Sequence, residues 1–293
     1  MTIRHLKIFI AVADCGKMRK AAEKLFISQP SVSQAIKDIE DYYDVKLFER
    51  LSQRLYITEN GKQLLSYARY IVDTFDNMEN AIMSSKSTPK IKIGGSVTVG
   101  TVMLHDLVRE LSEKIQGIDI QITIDNTSNI EKLICSGELD TAIVEGMIDS
   151  DEVVKIPVCK DELVLISGRP HKFFSLDKIE LSDLENQSLI SREAGSMDRN
   201  QFEQLLHEKN ITMRKTWSCT NTEAIKNAVT AGFGIAILSK RLVQKEVDEG
   251  SLRILPIDGV KVEREFKLIY HKNKFISEPI KYFIEMCKND IIN

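Results

Sequence analysis

The chain has 293 residues, 43% of them hydrophobic and 28% charged, with a formal net charge of −3. That balance excludes a disordered tail and a general nucleic-acid coat, and the length predicts two or three compact units. No apolar run approaches the ~18 residues of a membrane span.

The opening stretch MTIRHLKIFIAVADCGKM enters a charged helical pattern too early for a secretory signal. Its first helix is predicted to turn Leu6, Phe9, Ile10 and Ala13 inward. Residues 18–25 (MRKAAEKL) and 28–40 (SQPSVSQAIKDIE) follow. Met18, Ala21, Ala22 and Leu25 form one apolar face; Val32, Ile36, Ile39 and Tyr43 form the next at 4–3–4 spacing. The short break between them suits a helix-turn-helix, and the two alanines permit a close crossing. Pro30 fits the first turn of the second helix, where its missing N–H is no loss. Residues 47–58 (LFERLSQRLYIT) read as a short extended wing, and Thr58 as the cap of a helix over 59–83.

In that helix Leu64, Ala68, Ile71, Phe75, Met78 and Ile82 make a narrow 4–3–4–3–4 seam, which predicts dimerisation rather than a broad core face. A polar hinge (SSKSTPK, 84–90) comes next. Beyond it strands are predicted at 90–94, 119–125, 140–145, 162–166, 187–191, 213–218 and 234–238. Helices are predicted at 101–115, 129–136, 198–209, 221–231 and 276–287. Their alternation predicts an α/β body with a mostly parallel sheet. The rhythm loosens near 162–168 and 259–268, which allows two lobes joined by two crossovers. The expected division is 1–58 (DNA-binding head), 59–89 (linker helix and hinge) and 90–293 (two-lobed body). Lobe I then comprises about 90–163 and 266–293, and lobe II about 164–265.

The net charge divides unevenly. Residues 1–62 carry eleven Lys or Arg against eight Asp or Glu, a net +3, leaving −6 for the remainder. A mildly basic head on an acidic body fits duplex DNA bound by one module. Early residues of a helix in the major groove reach base edges. Gln29, Ser33 and Gln34 are therefore expected at or near bases, and Pro30 on a thymine methyl or sugar. Ser31 lies on the same polar face, and Lys37, Arg50 and Arg54 suit phosphate contacts, which position without specifying.

The body's motifs are those of binding. The segments 94–101 (GGSVTVGT) and 126–131 (NTSNIE) each lead from a strand into a helix, where exposed N–H groups and hydroxyls hold anions. Ser96, Thr98 and Thr101 are candidates on the first loop, Thr127 and Asn129 on the second. From the other lobe come Arg192, whose fork suits a carboxylate, Ser196, and a further loop with Cys219, Thr220 and Thr222. The expected ligand is small and anionic or zwitterionic. The glycines at 94, 95 and 100 lack the Gly-Lys-Ser/Thr of a nucleotide P-loop, and Gly232 and Gly234 follow a helix rather than a strand. The five histidines are scattered without metal spacing. No catalytic residue, metal or cofactor is expected. Five cysteines, odd in number and never in CxxC, read as reduced thiols of a cytoplasmic protein without a membrane partner. For Cys219 as a redox sensor no basic neighbour or partner thiol is evident in the sequence.

The stretches AAEKLFISQPSVSQAIKDIE, KLFER, YITENGKQLL, SGELDTAIVEG, KDELVLIS, REAGSMDR and TEAIKNAVTAGFGIAIL together resemble the LysR-type transcriptional regulators over essentially the whole length. The resemblance implies a winged helix-turn-helix, an antiparallel pair of linker helices, and an effector domain like the periplasmic binding proteins, with Ser96 and Thr98 beside its cleft. It further implies dimers or tetramers on promoter DNA, a small co-inducer, and an effect on RNA polymerase access through DNA bending. The IVEG and REAGS segments look closest to regulators of sulfur assimilation or carbon fixation. Two departures stand out: Lys17 where relatives place Ser before the first helix of the pair, and Ile39-Glu40-Asp41-Tyr42-Tyr43-Asp44 where a glycine turn is usual, with Asp44 supplying the turn. A solute-binding module and a DNA-bending protein with a vestigial cleft are the rival readings.

Overall fold

Helix α1 (Ile3–Cys15) begins at Thr2, whose hydroxyl accepts from the His5 N–H, and ends at Gly16 in the left-handed region at φ 63°. These are features of a computed structural model, which describes residues 1–51, 54–83 and 88–289 apart from the side chains of 50, 51, 54, 77, 80, 81, 83 and 289. α1 buries Leu6, Ile8, Phe9, Ala11 and Val12. Ile10 and Ala13, expected inward, are only half-buried. The difference arises because α1 packs on the helix pair and also on the linker helix, so it needs two apolar faces.

α2 (Met18–Leu25) starts at Lys17 with no side-chain cap. Its Ala21 and Ala22 are buried, which lets α3 (Gln29–Tyr43) cross closely. Ser28 caps α3 by accepting from the Ser31 N–H, Pro30 stands in the first turn, and Asp44 ends the helix at φ 53°. Val32, Ile36 and Ile39 are buried, each contributing roughly 1.5–3 kcal/mol. Tyr43 is instead 44% exposed, with its ring edge-on to Tyr42. The wing is the antiparallel pair β1 (Phe48–Leu51) and β2 (Arg54–Ile57). Glu40 ties it to α3 by accepting from the Leu47 N–H at 2.8 Å and pairing with Lys46 at 2.9 Å. Burial alone would raise the Glu40 carboxyl, but Lys46 and the two N–H groups hold it below its ordinary value.

The linker helix α4 (Glu59–Met83) is about 37 Å long. Thr58 accepts from the Gly61 N–H at 3.0 Å. Any side chain at Gly61 would strike the Leu47 carbonyl oxygen at 2.4 Å, so wing and linker meet there backbone to backbone. The expected dimer seam divides in two. Ala68 is fully buried against the head, and Leu64 packs on the same core, so these two residues serve their own chain. Ile71, Met78 and Ile82 are exposed, while Phe75 is half-buried beneath the Lys7 ammonium. Ser84–Ser87 of the expected hinge lie outside the described residues.

The body contains β3 (Lys90–Ser96), α5 (Val97–Val102), α6 (Leu104–Lys114), β4 (Asp119–Asp125), α7 (Thr127–Cys135), β5 (Thr141–Glu145) and β6 (Val153–Gly168). Then come β7 (Ser188–Arg192), α8 (Met197–Glu208), β8 (Arg214–Cys219), α9 (Thr222–Thr230), β9 (Ala236–Ser239), α10 (Lys240–Asp248), β10 (Leu252–Leu255), β11 (Val262–His271) and α11 (Glu278–Asn289). β3 pairs in parallel with β4 and β5, and β7 with β8. The expectation of a mostly parallel sheet is corrected by β6 and β11, which run antiparallel through both lobes; β5, β9 and β10 pair antiparallel with them. The 16-residue β6 begins well before the expected 162 because its first half is held by pairing with the distant β11. The register shift between Phe266 and Lys267 leaves Val158 in a bulge, beside Pro157, which pairs with Lys267. The lobe boundaries drawn at 163/164 and 265/266 fall inside these paired strands. α10 and β10 were not expected.

Head and body meet along α4. Arg69 bonds Asp14 of α1 at 2.5 Å and Glu138 of lobe I at 3.2 Å. Lys274, with a side chain 7% exposed, reaches Asp73 of α4 at 2.7 Å and Asp140 of lobe I at 2.6 Å. Burial would lower the Lys274 ammonium, but Asp140 and Asp73 outweigh it and hold it above its ordinary value. Lys274→Met leaves the two carboxylates uncompensated and is expected to cost about 2 kcal/mol in urea unfolding, less than a fully enclosed pair because Asp73 is partly open. A double-mutant cycle with Asp73→Asn that gives no coupling would show the bridge to be idle.

Candidate functional site

The first candidate surface is the outer side of α3. Gln29, Pro30, Ser31, Gln34 and Lys37 are exposed opposite the buried stripe, and Ser33 is half-buried. Two of them are engaged locally: the Ser31 hydroxyl lies 2.8 Å from that of Ser28, and the Gln34 amide donates to Asp38 at 2.7 Å. Gln34 must therefore release Asp38 before it can address a base edge. Arg50 and Arg54 stand on the two wing strands, opposite Leu55 and Leu51; their side chains lie outside the described residues.

The second candidate is the seam between the lobes. Ser96 caps α5, accepting from the Val99 N–H at 3.3 Å, and donates its own proton to one oxygen of Glu145. Thr98 donates to the other oxygen at 3.3 Å, and Thr127 donates to the Glu145 carbonyl at 3.3 Å. All three hydroxyls are buried and converge on a residue that ends β5. Thr101 is exposed and returns its proton to Val97 in its own helix, and Asn129 turns back to Asp125, so neither faces the seam. From lobe II, Arg192 is buried and gives both arms of its fork to Glu193, at 2.9 and 3.0 Å. Ser196 is buried at the start of α8; Cys219 is half-buried opposite Arg192 in the β7–β8 register, and Thr220 is exposed.

The residue joining these parts is Arg264 of β11. Its Nε donates to Asp161 at 2.7 Å, its Nη1 to Asp198 at the start of α8, and Glu145 lies 3.8 Å away. Ser239 holds the other Asp161 oxygen at 2.8 Å. Burial would lower the Arg264 guanidinium, but Asp198, Glu145 and Asp161 outweigh it and hold it above its ordinary value. Arg192 is likewise raised, with burial opposing it and Glu193 prevailing. Glu145 goes the other way. Burial pushes its carboxyl up and Asp198 adds to the push, against the pull of Arg264, Ser96 and Arg192. The long contact with Arg264 fails to offset burial because the guanidinium is committed to nearer carboxylates.

Glu145, Asp161, Asp198, Ser239 and Arg264 were missed as site residues. The available signals were a Glu closing the apolar run TAIVE and an Arg at an inward position of EREFKLIY. Both are charges where the strand pattern calls for apolar side chains. Arg192, expected as an anion clamp, gives its fork in this structure to its chain neighbour Glu193.

Because the Glu145 carboxyl is raised, the folded chain holds its proton at pH values where the unfolded chain has lost it. Stability therefore falls as pH rises out of the ordinary carboxylate range of about 4.3. Glu145→Gln is expected to raise the melting temperature at neutral pH, and this gain should vanish below about pH 4. A gain independent of pH would contradict the assignment.

Residues 3–62 match the family described as "Bacterial regulatory helix-turn-helix protein, lysR family", and residues 84–291 match the "LysR substrate binding domain". A "Probable RuBisCO transcriptional regulator" from Nostoc sp. is 32% identical, covering 96% of this chain and 86% of its own. The transcriptional activator CmpR of Synechocystis sp. is 30% identical over 97% and 94%, and CysL of Bacillus subtilis 27% over 97% and 96%. A full-length OxyR variant from Pseudomonas aeruginosa superposes with a TM-score of 0.75 at 20% identity, covering 99% of this chain and 94% of that one. The Synechocystis CcmR regulatory domain in complex with 2-PG gives 0.66 at 24% identity, over 70% and 99%. These likenesses cover both the helix-turn-helix head and the two-lobed body. The chain belongs to the LysR family: it is a DNA-binding transcriptional regulator with an effector-binding domain, similar to RuBisCO transcriptional regulators, CmpR and CysL.

Proposed function

We propose that this regulator works in the cytoplasm as a homodimer, assembling further into a tetramer, and reads an interrupted palindrome in promoter DNA through paired copies of α3. A small anionic or zwitterionic metabolite in the interlobe cleft changes the grip or bend of the DNA, and with it access for RNA polymerase. The chain performs no chemistry on that metabolite. The working units are 1–58, 59–89 and 90–293, with lobe I at about 90–163 and 266–293 and lobe II at about 164–265. Dimerisation uses the exposed Ile71, Met78 and Ile82 of the α4 seam together with the half-buried Phe75.

The observation that carries the reading is that Ser96, Thr98 and Thr127 all bond buried Glu145, the first two at its carboxylate and the third at its main-chain carbonyl, with buried Arg192 and Ser196 on the other lobe. Ordinary helix caps would not require three buried hydroxyls to meet. The likeness to a CcmR domain carrying 2-PG supports a small polar effector in the same body. The route from cleft to DNA is the pair of bridges at Arg69 and Lys274, which tie lobe I to α4 and α4 to α1.

Footprinting on DNA upstream of the protein's own gene, with and without a panel of metabolites, tests the whole reading. A protected interrupted palindrome that shortens or shifts with one metabolite is the expected result. Thr98→Val should abolish that shift while leaving operator affinity intact; an unchanged response would remove Thr98 from the effector contacts. Gln34→Ala should weaken operator binding by about 1–3 kcal/mol with little effect on random duplex. Equal loss on both would reject base reading by Gln34. Lys37→Ala should weaken both alike and lower the salt slope by about 1.

A further inference from the structure

The cleft's charges do not balance as an anion receptor requires. Two buried guanidiniums, Arg192 and Arg264, face four carboxylates, Glu145, Asp161, Asp198 and Glu193, with the half-exposed Arg241 3.9 Å from Asp161. Both guanidiniums are already bound to the protein's own acids at hydrogen-bond distance. A dianion entering here would have to strip a buried arginine of an existing partner and leave that carboxylate uncompensated.

Two further atoms point to what the cleft lacks. Asp198 Oδ2 and Arg264 Nη2 are buried without a hydrogen-bond partner among the described residues, although each belongs to a group whose other atom is bonded. An unsatisfied buried acceptor and an unsatisfied buried donor on one ion pair are each costly. Because Nη1 of the same guanidinium bonds Oδ1 of the same carboxylate, the two vacant valences belong to adjacent groups. One small molecule offering an N–H beside an oxygen satisfies both.

From this we propose that the effector is an amino-acid-like zwitterion, its ammonium received by Asp198 and Glu145 and its carboxylate by Arg264 Nη2. This inference rests on the cleft-effector reading and narrows it. The ammonium supplies the positive charge the cluster is short of, and it allows Glu145 to stand ionised where burial alone resists it. Ser96 and Thr98 hold the Glu145 carboxylate toward the ligand, so their part is to position the counter-ion rather than to clasp an anion directly. Entry requires the lobes to part. Outside the ion cluster the seam is closed by contacts such as Ser128 donating to the Gly195 carbonyl at 3.3 Å and the Met197 side chain over Gly146. Gly146, at φ 83°, has no room for a Cβ, which would stand 2.7 Å from Met197.

The test is thermal melting of the intact protein with each of the twenty common amino acids and ornithine, with malonate and inorganic phosphate as pure anions and putrescine as a pure cation. At saturating ligand one or more amino acids should raise Tm by about 2–4 °C or more, with malonate, phosphate and putrescine inactive. The deaminated analogue of the active amino acid should bind about tenfold more weakly or worse, a comparison that needs no variant. Glu145→Gln, judged folded by its own cooperative melt, should lose the shift. A shift from malonate or phosphate alone would overturn the zwitterion assignment and leave a cleft effector standing. So would an amino acid whose deaminated analogue binds as well, or whose effect survives Glu145→Gln. No shift from any compound would overturn the cleft-effector reading itself and mark the two unpaired atoms as sites for buried water.

Discussion

A single guanidinium at the junction of the lobes sets the terms for the rest of the body. Arg264 lies on β11, one of two long strands that run through both lobes, and it bonds Asp161 on the other one, β6. It also reaches Asp198 at the head of α8 and lies near Glu145 at the end of β5. Its charge is what permits three carboxylates from three different elements to share a space almost closed to water. Without it each acid would be buried uncompensated, and the lobes would have strong reason to separate. A core of aliphatic residues at this seam would hold the lobes as firmly but would offer a ligand nothing to exchange with. An ion cluster leaves the closed arrangement dependent on charge, and charge is something a small molecule can bring.

The same economy governs communication with the head. Lys274 and Arg69 each stand between two carboxylates belonging to different units, and between them they connect α1, α4 and lobe I. Such bridges have direction and short range, so a small rotation of lobe I breaks or preserves them sharply. Apolar packing along the head side of α4, with Ala68 fully buried, makes the helix and the DNA-reading unit move together. Lobe I, α4 and the unit that presents Gln34 and Lys37 are thus joined by a continuous set of contacts.

Much of the head was legible because its determinants are local. Pro30, Asp44 and Thr58 act within a few residues of themselves, and their caps and turns are where the sequence puts them. The apolar periods of α2 and α3 hold for the same reason, Tyr43 excepted. The linker seam was half legible: spacing found the apolar positions on α4, but spacing has no means of assigning Leu64 and Ala68 to the chain's own head. In the body the strand–helix alternation was visible, whereas the first half of β6 was not, because its pairing depends on a partner strand more than a hundred residues away. The hydroxyls at 96, 98 and 127 were found from loop composition. The acids they serve were not, because a lone Glu or Asp at the end of an apolar strand looks like an ordinary surface terminus until the opposing arginine is known.

By itself the sequence determined the family, the winged helix-turn-helix, the order of units and the polar residues on the outer face of α3. These follow from period, capping and turn chemistry, all of which act over one or two helical turns. Only the tertiary structure decided the antiparallel crossing strands, the bridges from lobe I to α4, and the sign of charge in the cleft. Glu145, Asp161, Asp198, Arg192 and Arg264 are spread over some 120 positions, and a Coulomb interaction is fixed by separation in space and by the water excluded from between the charges. Neither quantity is written in the spacing of residues along a chain.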